Sequence, residues 1–284
     1  MMTPVTPKVR RRIALFAIVA LLGVLAASVH AQLRRGEFRR SFSSVRLARP
    51  DDYDGTFQFC RVVFANGPNG DPRSGSWEVD YPRADINLSI RLAELTKTRV
   101  GMTGRGEPTN VLIRLTSPEI FNCPFIMMTE VGAIDLSDRE IASLHDYLMK
   151  GGFLWADDFW GTEAWDWWES VINEVLPPSE YPIVQLTPDH PLYKAQFIVK
   201  ETPQIANIGF WTSYHDGRER GDDSPHADAR AIFDHHGNIM VLMTHNTDFG
   251  DAYEREGDSP EYFLANSVAG YAFGVNALLY SMTH

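Results

Sequence analysis

Two adjacent carboxylates, Asp157 and Asp158, end an apolar run in GGFLWADDFWGTEAWDWW (residues 151–168) and stand just ahead of a helical pattern. A carboxylate at such a point can act as a general base, or as a nucleophile when a neighbour orients it. It can also cap a helix by accepting hydrogen bonds from free N–H groups of the first turn. Capping accounts for one aspartate only. Side chains alternate in direction along a strand, so the second points elsewhere, toward a site. THNTDFGDAYE (residues 244–254) adds His245, Asn246, Asp248, Asp251 and Glu254 in one short stretch. It reads as a polar site with His245 as acid–base, or as a hard-cation site built from carboxylates. The alternative is a loop tied by Asx turns. Its spacing, without the required glycine, excludes an EF-hand.

These groups need elements to hold them. FQFCRVVFA (57–65), NVLIRL (110–115), PFIMMTE (124–130), FLWADD (153–158) and PIVQL (182–186) read as strands, and ARAIFDHHGNIMVLMTHN (229–246) as two strands joined by a turn. DYPRADINLSIRLAELT (80–96) reads as a helix with Asp80 as N-cap and Pro82 in its first turn. In LSDREIASLHDYLMKGG (136–152) a Ser137/Glu140 capping box opens a helix and Gly151 stops it. From Thr162 to Leu176, Ala164, Trp165, Trp168, Val171, Ile172, Val175 and Leu176 share half of a helical wheel. Those tryptophans are core, and Trp160, ahead of the helix, is the ring left to line a pocket. Residues 187–228 read as an irregular insertion, and the chain ends in a mostly apolar helix.

Alternating strands and helices predict an α/β fold with a mostly parallel sheet. Such sheets bind ligands beyond the carboxyl ends of their strands. Three predicted strands end in polar groups there: Thr129–Glu130, Asp157–Asp158, and His245–Asn246 with Asp248 and Asp251 behind. If the strands are parallel neighbours, the three clusters face one crevice.

Composition narrows the function. Ten of the 26 Lys/Arg lie in residues 1–50 with a single acid, Glu37, so residues 51–284 carry 16 basic and 36 acidic side chains. A body this acidic repels phosphate backbones, so no nucleic-acid partner is expected. Residues 1–31 have the layout of a signal peptide: a basic n-region, an uncharged run from Ile13 to Val29, and VHA before Gln32. Export to the periplasm or outside the cell is expected. The alternative is an uncleaved inner-membrane anchor, although the run is shorter than the ~20 residues that span a bilayer. A basic linker (32–54) follows, and the positive charge of residues 8–49 suits association with a membrane through anionic headgroups. Cys60 and Cys123 sit in apolar strand-like runs, which favours buried free thiols over a bridge. No helical His pair or Cys spacing marks a zinc site, so no metal site is assigned. There is no P-loop, dinucleotide fingerprint or G-x-S-x-G elbow, and no cofactor is named.

The motifs SWEVDYPRAD, FNCPFIMMTEVG, LSDREIASLHDYLMKGGFLWADDFWG, DHPLY, PQIANIG, HNTDFGDAYE and GVNALLYSM occur in order between Phe57 and Met282. This series resembles the bacterial family called domain of unknown function 4159, grouped with the class I glutamine-amidotransferase-like superfamily. The resemblance implies one flavodoxin-like three-layer sandwich over residues 55–284. It also implies a missing nucleophile. GGFLWADDFWG occupies the strand-to-helix turn where amidotransferases carry a cysteine, and it offers Asp157 and Asp158 instead. The expected function is therefore a non-catalytic, exported cell-envelope domain that binds a small ligand or protein partner at the strand-end crevice, with Glu130, Trp160, Asn246, Asp248 and Asp251 as its lining. The alternative is a hydrolase using Asp157 or Asp158 with His245, with or without the help of a metal ion.

Overall fold

The computed structural model describes residues 46–284. The signal segment (1–31), most of the basic linker and most of the membrane-association segment lie outside the described residues. The compact unit runs from Leu47 to His284. Leu47 bridges Leu112 at the sheet edge, so the folded part begins in what reads as linker, ahead of residue 55.

Seven strands form the main sheet. β1 (Phe59–Val62), β3 (Asn110–Ile113), β4 (Phe125–Thr129), β6 (Phe153–Asp157) and β9 (Ile239–His245) are parallel, in the spatial order β3-β1-β4-β6-β9. β8 (Asp228–Phe233) and β7 (Val184–Gln185) extend the sheet antiparallel beyond β9. β2 (Ala65–Asn66) and β5 (Ile134–Asp135) make a separate two-stranded ribbon. Central strands are buried on both faces, as parallel strands covered by helices must be.

α1 (Arg83–Leu95), α5 (Phe249–Glu254) and α6 (Val268–Thr283) share one core with the sheet, where Leu88, Leu92, Phe249 and Phe273 meet Phe59, Phe125, Phe153 and Trp155. α2 (Asp138–Met149) and α3 (Gly161–Val175) bury the faces that their periodicity marks: Leu144 and Leu148, then Ala164, Trp168, Val171, Ile172 and Val175. The Ser137/Glu140 capping box is present, with Ser137 N–H donating to Glu140 at 3.0 Å. Gly151 ends α2 at φ 88°, a left-handed conformation that favours glycine. The insertion holds one short α-helix, α4 (Ile208–Tyr214), and two 3-10 turns, Pro191–Lys194 and Gly221–Asp223. No helix among the described residues is long and apolar enough to cross a membrane.

Two local expectations change. Asp80 does not cap α1: it lies three residues before the helix with φ 62°, and its carboxyl turns to the strand-end site. Cys60 and Cys123 are bridged, with Cα atoms 6.2 Å apart. Apolar flanks correctly mark both as buried, but they do not reveal that the turn leading into β4 brings Cys123 up to Cys60 on the neighbouring strand β1.

Candidate functional site

Register brings the polar strand ends to one edge. Thr129 pairs with Asp157 and Ala156 with Met243, so Glu130, Asp158 and the residues after His245 emerge at the same level. Glu130 N–H donates to Asp157 O at 3.0 Å. Just past the strands the backbone turns sharply: Glu130, Asp158 and Asn246 have φ of 57°, 56° and 59°. With Asp80, four of the five non-glycine left-handed residues among those described sit here. Such conformations cost of order 1 kcal/mol or more each and persist where the surroundings hold them.

The adjacent aspartates divide their tasks. Asp157 faces the helical core. Its Oδ1 accepts from Thr244 Oγ1 at 2.5 Å and its Oδ2 from Phe249 N–H at 3.0 Å. Complete burial pushes its carboxyl up to about 7 against these hydrogen bonds, which favour the charged form. It anchors the start of α5. Asp158 turns out of the strand, and its Oδ1 accepts from Trp160 Nε1 at 2.9 Å. Its carboxyl joins those of Asp80 and Asp248, with one oxygen of each within 4.8 Å of the others. All three are buried. Burial, then repulsion by neighbouring carboxylates, raises Asp158 and Asp248 well above the usual range; for Asp80 burial and Asp251 do the same.

Positive charge nearby is already committed. Arg61 on β1 makes a buried pair with Asp85 of α1, its Nε 3.0 Å from Oδ1 and its Nη2 2.5 Å away. Its Nη1 donates to the carbonyls of Trp77 and Val79 at 3.2 and 3.1 Å. Arg61 thus fixes the loop that presents Asp80. Arg255 lies 3.5 Å from Asp251 and 2.8 Å from Glu254. No Lys, Arg or His among the described residues forms an ion pair with Asp80, Asp158 or Asp248. Asp80 Oδ2 is buried without a hydrogen-bond donor, and the Asp251 carboxyl lies beside the Asp80 side chain.

The insertion closes over this edge. Asp248 N–H donates to Ile205 O at 2.9 Å, Thr247 Oγ1 to Pro203 O at 2.8 Å, and Ile208 N–H to Asp251 Oδ2 at 2.5 Å. Asn246 ties the turn together, accepting from Gly161 N–H at 2.8 Å and donating to His226 O at 3.2 Å. What reads as an open crevice is a covered polar interior.

His245 does not join it. Alternation along β9 sends Thr244 toward Asp157 and His245 to the opposite face, against Phe159 and Trp165 at ring separations of 5.1 and 5.4 Å. Its Nε2 bonds Gly161 O at 2.9 Å and its Nδ1 has no partner. Burial lowers its pKa to about 4, so it is neutral at pH 7. Asp157 and Asp158 have no hydrogen bond to it.

Of the residues expected at the site, the structure brings together Asp158 and Asp248, with Asp251 adjoining and Trp160 as a donor to Asp158. Glu130, pushed up to about 7 chiefly by burial, also repels Asp158. Asp157, Asn246 and His245 hold structure instead. Asp80 is the member missed by sequence reasoning, because Asp before Tyr-Pro at the start of a helical pattern looks like a cap.

A family model described as Domain of unknown function (DUF4159) matches residues 59–282. No curated protein matches the chain.

Proposed function

We propose, on the premise that this chain belongs to the DUF4159 family, that it is an exported cell-envelope domain that binds a positively charged small ligand at its strand-end carboxylates. One observation carries the reading: Asp80, Asp158 and Asp248 converge, buried, with no ion-pair partner among the described residues. Burying uncompensated charge is costly, so such a group selects a ligand that neutralises it. The amidotransferase-like, flavodoxin-like form of the fold is part of the proposal. Taken in chain order, the five parallel strands lie 2-1-3-4-5, the order of flavodoxin-like sheets, whose ligands bind beyond the strand ends.

Binding without catalysis is favoured because the turn after β6 offers carboxylates in place of a thiol, and because His245 lies on the other face from Asp157. Export is supported by the N-terminal sequence and by the Cys60–Cys123 bridge, which suits an oxidising compartment.

The test is thermal unfolding of the full chain with spermidine, lysine, MgCl2, CaCl2 and MnCl2. A binding cation at a hundredfold excess over its Kd raises Tm by about 5–10 °C, and Asp158→Asn loses the shift. The reading fails if every cation leaves Tm unchanged, or if Asp158→Asn responds as the wild type does.

A further inference from the structure

The chemistry of the ligand can be carried one step further, on the reading just given. We propose that the strand-end site holds one hard divalent cation, with the carboxylates of Asp80, Asp158 and Asp248 as its protein ligands. One oxygen from each lies within 4.8 Å of the other two. Ligands on opposite sides of a Mg2+, Mn2+ or Ca2+ ion, each bonded at about 2.0–2.6 Å, span the same range. All three donors are carboxylate oxygens. Without sulfur or imidazole the set suits magnesium, calcium or manganese and not the softer metals.

The oxygen arrangement is held in place from outside. Asp158 and Asp248 each use one oxygen as a hydrogen-bond acceptor, from Trp160 Nε1 at 2.9 Å and Asp251 N–H at 2.7 Å. Both bonds orient a carboxylate while leaving it a second oxygen, as outer partners do around metal ligands. Asp80 is only 9% exposed, and its Oδ2 has no donor. Asp80 is the residue common to both candidate groupings at this edge, and its unpartnered oxygen is the one that asks for a cation. It has room because residue 250 is glycine: a Cβ there would fall on Asp80 Oδ2. Arg61 holds the carbonyls of Trp77 and Val79, so the loop carrying Asp80 is set before any ion arrives.

Asp80 also groups with Asp251 and Glu254. That second trio is the poorer site. Arg255 already opposes both acids, and Asp251 further accepts from Ile208 N–H. The ion therefore belongs to the first trio, where three carboxyl groups meet no arginine or lysine ion pair among the described residues.

The test uses the full chain stripped with EDTA and dialysed. Titration calorimetry with MgCl2, CaCl2 and MnCl2 is run on the wild type, Asp80→Asn and Gly250→Ala, with spermidine titrated in parallel. The expected result is one equivalent of at least one divalent ion. Asp80→Asn should bind it about 100-fold more weakly or worse. Asparagine tolerates the left-handed backbone at this position, so the fold should persist, as far-UV circular dichroism will show. Gly250→Ala removes no charge yet should weaken binding comparably by displacing Asp80 Oδ2. Wild-type affinity in Asp80→Asn, or no binding of any divalent ion, overturns the metal site. If spermidine binds while no divalent ion does, the metal inference falls and the cationic-ligand reading stands. If neither binds, both fall.

Discussion

Strained backbone and buried charge coincide in this protein. Asp80, Glu130, Asp158 and Asn246 take left-handed conformations at one edge, where neighbouring carboxylates repel each other. Asp and Asn adopt that conformation more readily than most side chains. It lets a side chain leave the strand direction without a glycine, and at Asp158 it separates the carboxylate that faces Asp80 and Asp248 from Asp157, which anchors α5. That one of the two aspartates is structural is legible from strand alternation alone. Which one is not, because the turn at Asp158 depends on backbone torsion. The face taken by His245 is not legible for a related reason: membership in a polar stretch does not set the face, and Thr244 takes the inward position. Its burial against Phe159 and Trp165 gives a pH signature. The folded pKa is depressed from 6.5 to about 4, so below pH 6.5 the unfolded chain takes up a proton that the folded one refuses. Stability from this residue is complete above about 6.5, declines as pH falls to about 4, and is flat below. Urea unfolding at pH 7 and pH 5 should show roughly 2 kcal/mol more loss for the wild type than for His245→Phe. Equal losses in the two proteins would contradict the burial assigned to the imidazole.

Among the elements, those with strong periodicity were readable: α2 from its capping box, α3 from its apolar half, and the β8–β9 hairpin from its turn. The start of α1 was not. The Arg61–Asp85 pair ties β1 to α1, and Arg61 also draws in the carbonyls of Trp77 and Val79. The chain therefore reaches the helix by a path that local propensity does not encode. Nothing near Arg61 in the sequence identifies a partner 24 residues away. Removing Arg61 leaves Asp85 buried and unpaired. Arg61→Met should cost about 3–5 kcal/mol in urea unfolding, and Arg61→Met with Asp85→Leu should recover much of it. The double variant should still lose cation affinity, since the carbonyls of Trp77 and Val79 then lose the guanidinium that fixes the Asp80 loop. A mild single variant, or a double variant with wild-type affinity, would show that β1 does not position that loop. Cys60–Cys123 braces the same strand on its other face. Closing 63 residues of sequence, it contributes about 4 kcal/mol in the chain-entropy picture.

At the scale of the molecule, a parallel sheet gathers loops distant in sequence over one edge. The α/β class and the convergence of Glu130, Asp158 and Asp248 followed from the alternation of elements and the polar strand ends. The cover did not, since residues 203–208 bind this edge through backbone groups that carry no periodic signal. The covered carboxylates are either a cation site or a set of acids sharing protons among themselves, and the two differ by one atom's worth of electron density. Crystals of the full chain grown with MnCl2, measured at the manganese absorption edge, decide between them. One anomalous peak is expected within about 2.0–2.6 Å of carboxylate oxygens from Asp80, Asp158 and Asp248. A fully ordered site without a peak, with those oxygens in direct hydrogen bonds to one another, would contradict the cation site.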